Sequence, residues 1–95
     1  MMSFTFTGRI WEWRGPSPFH FVTVPAKQCR DLQGIAKPVT YGWGMVPVVV
    51  RIGGTEWKTS LFPRDGRYLI PLKDSVRRAE GLAVGERVTV GIEVR

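Results

Sequence analysis

The sequence is poor in the residues that most often carry chemistry. It has one cysteine, Cys29, and one histidine, His20. A lone cysteine excludes an internal disulfide and fits a reducing compartment. No Cys/His pair has metal-ligand spacing, so no metal is expected. No cofactor is expected either: "RIGGTEWKT" has glycines and a lysine, but not the GxxxxGK[ST] spacing that cradles phosphates. No GxSxG elbow supplies a nucleophile for His20. The start, "MMSFTFTGRI", lacks a cationic region followed by an apolar run, so no signal peptide is expected. No apolar stretch approaches the roughly 20 residues that span a bilayer. Runs of roughly five like charges are absent too, which excludes a basic tail. The expectation is a cytoplasmic, soluble protein with no membrane partner.

What is present is ordinary globular material. The 95 residues are 43% hydrophobic and 23% charged, enough for a single domain over residues 1–95. The formal net charge is +6 and the isoelectric point near 10.3. Such a balance permits contact with nucleic acid, but the cations are scattered, and net charge speaks first to solubility.

Strand patterns dominate. Phe4, Phe6 and Ile10 alternate with polar residues, and Gly8 is read as a bulge. "GPSP" breaks the chain before a second strand, "FHFVTV". Val46, Val48, Val50 and Ile52 alternate up to "GG", a two-residue hairpin signal, and "TEWKTSLF" is its partner strand. "PRDG" reads as the next turn and "RYLI" as a short strand. Val88, Val90, Ile92 and Val94 mark the last strand. Two segments read as helices. "PAKQCRDLQG" begins at Pro25, puts Cys29 and Leu32 on one face, and closes at Gly34. "KDSVRRAEG" has an Asp74–Arg78 pair and a left-handed cap at Gly81 with Leu82 as its apolar contact.

The two helical segments sit in similar surroundings. "VTVPAKQCRDLQGIAKPV" and "YLIPLKDSVRRAEGLAVG" share a strand, Pro-x-Lys, about two helical turns, glycine and an aliphatic residue. Pro25 and Pro71 stand 46 positions apart. One such half would leave sheet edges open, whereas two can close against each other into a barrel. The fold expected is therefore mainly β with two short α-helices: a barrel of two pseudo-repeated halves.

The stretches "WRGPSPFHFVTVP", "GWGMVPVVVRIGGTEWKTSLFP" and "GRYLIPLKDSVRRAEGL" with "GERVTV" resemble a bacterial domain family of unknown function, the DUF nineteen-oh-five family. The resemblance runs from about Phe4 to Val94 and implies a double-split β-barrel capped by helices, with no established activity. The C-terminal unit alone is similar to the swapped-hairpin half of AbrB-type regulators, in which a dimer completes the barrel and binds DNA. Here Glu86 holds the usual acidic turn position, and one chain carries both halves, so a monomer is expected.

Each candidate site also has a plain packing explanation. His20 alternates with Phe19 and Phe21 and is read as a structural histidine, with no catalytic residue assigned. Glu12, Glu56 and Asp65 show no pattern that pairs them. The tryptophans are read mostly as core. Even so, Trp13, Arg14, Tyr41, Trp43 and Trp57 are the candidate ligand-binding residues, around the "YGWG" loop and the "WRGPSP" turn. The leading expectation is a non-enzymatic barrel module with a small-molecule ligand. The alternative is a nucleic-acid-binding protein, with Arg64, Arg67, Lys73, Arg77 and Arg78 on phosphates and aromatics stacking bases. A small hydrolase or isomerase ranks third.

Overall fold

Alternation becomes structure most directly in the last strand, β6 (Arg87–Val94), where Val88, Val90, Ile92 and Val94 are buried and the residues between them are not. The computed structural model describes residues 2–16, 18–36 and 44–95. Before β6 come β1 (Ser3–Trp13), β2 (Phe19–Thr23), α1 (Ala26–Ala36), β3 (Val46–Ile52), β4 (Thr55–Arg64), β5 (Arg67–Leu72) and α2 (Asp74–Glu80). The strands form a closed antiparallel barrel in the order β1-β2-β5-β4-β3-β6, with β6 returning to β1. Closure gives every strand a neighbour on each side at some point along its length.

Two long strands turn the corners. β1 pairs with β6 over Ser3–Arg9 and then with β2 over Ile10–Trp13. β4 does the same, with β3 up to Leu61 and with β5 from Phe62. Exchanging β1 with β4, β2 with β5 and β3 with β6 leaves the neighbour order unchanged. Residue by residue, however, the prolines are out of step. Pro25 directly precedes α1, and its carbonyl accepts from the Cys29 N–H. The corresponding carbonyl before α2 belongs to Lys73, while Pro71 lies inside β5 opposite Phe21. The helices start 48 residues apart, not 46.

The interior is aliphatic. Val22, Val24, Val46, Val48, Val50, Leu61, Ile70 and Val90 are all but fully buried, joined by Cys29 and Leu32 from α1 and Val76 from α2. Each such side chain contributes about 1.5–3 kcal/mol relative to exposure. The Cys29 thiol donates to the Val24 carbonyl and accepts from the Tyr68 N–H, so it is a packing residue. Burial pushes the nearby Tyr68 phenol above its ordinary 10.0, and Cys29 adds to the rise.

Several local expectations are corrected. Gly8 makes no bulge, since its register with Val88 is continuous. A Cβ there would come 2.8 Å from Val22 Cγ1, so close approach explains the glycine. α1 runs past Gly34 to Ala36. The β4–β5 turn is the Asp65–Gly66 pair, both with positive φ, and Pro63 stays in the strand. Asp74 pairs with Arg77, one turn position earlier than Arg78. The Gly81 cap is left-handed as expected, and the Leu82 N–H donates to the Arg77 carbonyl at 2.9 Å. No helix among the described residues is long and apolar enough to cross a membrane.

Candidate functional site: an aromatic trough on the barrel exterior

Because the period of a strand is two, the residues between the core positions point outward. On β1, β2, β5 and β4 those outward residues are unusually large. Trp11 faces Phe21 across the β1–β2 ladder and Trp13 faces Phe19. Phe21 in turn faces Pro71, and Phe62 faces Leu69. The rings form one connected group. Trp13 and Phe19 stack at 6.1 Å and 29°, Phe19 meets Phe21 at 6.5 Å, and Phe21 meets Phe62 edge-on at 5.4 Å. Trp11 closes the far side, 5.1 Å from Phe21, with its indole N–H held by the Thr23 hydroxyl at 2.9 Å.

This face holds a trough of about 720 Å³. Phe21, Pro71, Trp13, Phe19, Met45 and Phe62 line it together with the cations Lys58, Arg64 and Lys73. Trp13 and Phe19 are 38% and 53% exposed, which is unusual for large aromatics in so small a domain. Gly15 helps fix the Trp13 ring, because an added Cβ would overlap its six-membered ring. None of the described lining residues is acidic. Lys58 and Lys73 make no ion pair among the described residues, and Arg64 has only a 3.8 Å contact to exposed Asp65. The described lining therefore combines apolar rings with positive charge.

A second groove, of about 860 Å³, crosses the opposite wall over Gly91. Of its three lining cations, Arg51 meets Glu56 at 2.9 Å and Arg95 meets Glu93 at 3.8 Å, and Lys58 is shared with the trough. Two carboxylates, Glu56 and Glu93, line that groove, whereas the described lining of the trough has none and carries the exposed Trp13–Phe19 stack, so the trough is the better candidate.

At one end of the interior face, His20 is only 7% exposed and its Nε2 lies 3.3 Å from Glu12 Oε2. The other carboxylate oxygen of Glu12 accepts from Arg14 Nε at 3.2 Å. Glu12 thus bridges the buried imidazole and an exposed guanidinium. This partner was not visible in the sequence, since it depends on the β1–β2 register.

The sequence-derived candidates scatter. Trp13 stands in the trough, and Arg14 sits beside it but is committed to Glu12. Tyr41 and Trp43, with most of the "YGWG" loop, lie outside the described residues. Trp57 points into the barrel and is 8% exposed. Among the proposed phosphate contacts, Arg64 and Lys73 border the trough. Arg67 instead donates twice to the Val24 carbonyl, and Arg77 and Arg78 lie on α2. Phe19, Phe21 and Phe62 were missed. The available signal was the pair of alternations flanking "GPSP", which set Trp11 and Trp13 opposite Phe19 and Phe21 once the two strands form a hairpin.

A closed six-stranded antiparallel barrel, with short helices and an aromatic outer wall, defines a small β-barrel domain. The chain belongs to the DUF1905 family, whose family model, described as a domain of unknown function, matches residues 6–92. No curated protein matches the chain.

Proposed function

We propose that the chain is a non-enzymatic binding module whose ligand lies in the exterior trough and combines a flat apolar part with negative charge. The observation that carries this reading is the exposed Trp13–Phe19 stack beside Lys58 and Lys73, which make no ion pair among the described residues. Exposing such rings has a free-energy cost that a ligand covering them would offset. Lys58 and Lys73 can meet the charged part without first breaking an ion pair among the described residues. The Glu12–His20–Arg14 chain is read as structural, because each charged group in it already has a partner. The module is read as a cytoplasmic monomer: one chain closes its own sheet, and its thiol suits a reducing compartment.

Titration with anilinonaphthalene sulfonate, a flat aromatic anion, tests this reading. Dye emission should rise with the native chain and fall sharply with Trp13→Ala or Lys73→Glu, while His20→Gln responds like the native chain. Equal dye response in all four proteins would remove the trough as the site.

A further inference from the structure

Resting on the trough as the binding face, we propose that its ligand is single-stranded nucleic acid, with bases laid on Trp13, Phe19 and Phe62 and phosphates on Lys58, Arg64 and Lys73. A connected run of aromatic rings and three cations line the same trough, with no described carboxylate among the lining residues. A strand of nucleotides repeats the same pairing, a flat apolar base beside an anion. Base–aromatic stacking is tolerant of sequence because every base has a π-face, so a small domain with no built-in base-reading cleft can still hold a strand.

Other occupants fit less well. An extended acidic peptide gains most of its affinity by adding a strand to an open sheet edge. Here the sheet closes into a ring, and main-chain pairing would make no use of the exposed Trp13–Phe19 stack. A small aromatic acid would use one ring and one cation, leaving the rest of a connected set of four rings unused. Duplex nucleic acid keeps its base faces stacked on one another and could use only the cations. The net charge of +6 adds long-range attraction for any polyanion, but it cannot by itself select single strands.

The test is fluorescence anisotropy with labelled oligothymidine and oligouridine of about 10 nucleotides, within the usual site size of one small barrel. A duplex of equal length and polyaspartate are the controls, and anilinonaphthalene sulfonate is run in parallel. Both single strands should bind at low salt, with log K falling against log salt at a slope of about −2, as expected for three phosphates at ~0.7 each. Trp13→Ala and Phe19→Ala should each weaken binding by about tenfold, the effect of losing roughly one stacked base, and leave the slope in place. Lys73→Glu should flatten the slope by about 0.7 or more. The duplex and polyaspartate should bind at least about tenfold more weakly, since neither offers an unstacked base.

Gly15→Ala keeps the indole but displaces it, so it should mimic Trp13→Ala even if the latter alters the fold. Affinity that ignores Trp13, Phe19 and Gly15, or that is equal for polyaspartate, would reduce the effect to general basicity and overturn the inference. No oligonucleotide binding at low salt, with dye still responding at the trough, would overturn it while leaving the binding face intact. Failure of both ligands would remove the two readings together.

Discussion

Two tryptophans that look alike in the sequence should behave in opposite ways when truncated. Trp57 faces Val50 across the β3–β4 ladder, lies inside the barrel and is 8% exposed. Burying an aromatic of this size removes about 200 Å² from water, and at about 25 cal/mol per Å² that corresponds to roughly 5 kcal/mol. The observed range for Trp→Ala in cores, about 3–5 kcal/mol, agrees. A 95-residue domain has a total stability of about 5–14 kcal/mol. Trp57→Ala should therefore consume a third or more of it and lower Tm by about 15–30 °C. Trp13 rests on Phe19 and against Gly15, with its other side in water. Its truncation should cost about 1 kcal/mol, the scale of one aromatic pair. Trp57→Phe gives a further check. The indole N–H it removes is buried with no partner among the described residues, and a stranded donor costs about 1–3 kcal/mol. The phenylalanine variant should thus lose far less than the alanine one. Urea unfolding followed by far-UV circular dichroism measures all three without relying on indole emission. Equal losses at Trp13 and Trp57 would refute the assignment of one to the wall and the other to the core.

Three further expectations concern the fold and the trough. Gly8→Val should lower stability by about 1–3 kcal/mol in the same urea series, because its side chain must enter space that Val22 and Phe6 already fill. Gly15→Ala should leave Tm within a few degrees of the native value but reduce dye response at the trough, since only the Trp13 ring has to move. The raised phenol of Tyr68 predicts an alkaline limit. The unfolded phenol ionises near 10.0 while the folded one keeps its proton, so its contribution is complete below pH 10 and is lost as pH rises through the folded value. Thermal melts between about pH 9 and 11 should show this fall, and Tyr68→Phe should flatten it.

The strands were legible to the extent that one face of each stood out. In β3 and β6 valines and isoleucines alternate with residues that are not deeply buried, and both strands came out in register with that pattern. β1 is harder, because Phe6 and Ile10 on one face compete with Trp11 and Trp13 on the other. Period two tells which residues share a face but not which face is inside; the barrel decides that by closing. For the same reason the pattern left Trp57 open between core and ligand contact, and its side chain is buried in the barrel. The helix end at Gly34 failed because a glycine can remain helical, whereas Gly81 adopts the left-handed cap and is followed by the apolar Leu82. Long-range pairs were beyond local pattern. Glu12 meets His20 only through the β1–β2 register, and Glu80 reaches the Thr55 hydroxyl across 25 positions of chain. The trough is also a product of topology, since β4 and β5 bring Phe62, Lys58 and Lys73 to a wall begun by β1 and β2.

The outward wall carries the functional account, and indole N–H resonances in a ¹H–¹⁵N spectrum read it most directly. During titration with oligothymidine, the Trp13 indole should shift in step with the amides of Phe19, Phe62 and Lys73, while the Trp57 indole stays still. Shifts centred on Trp57, or on His20 and Glu12 with Trp13 unmoved, would contradict it.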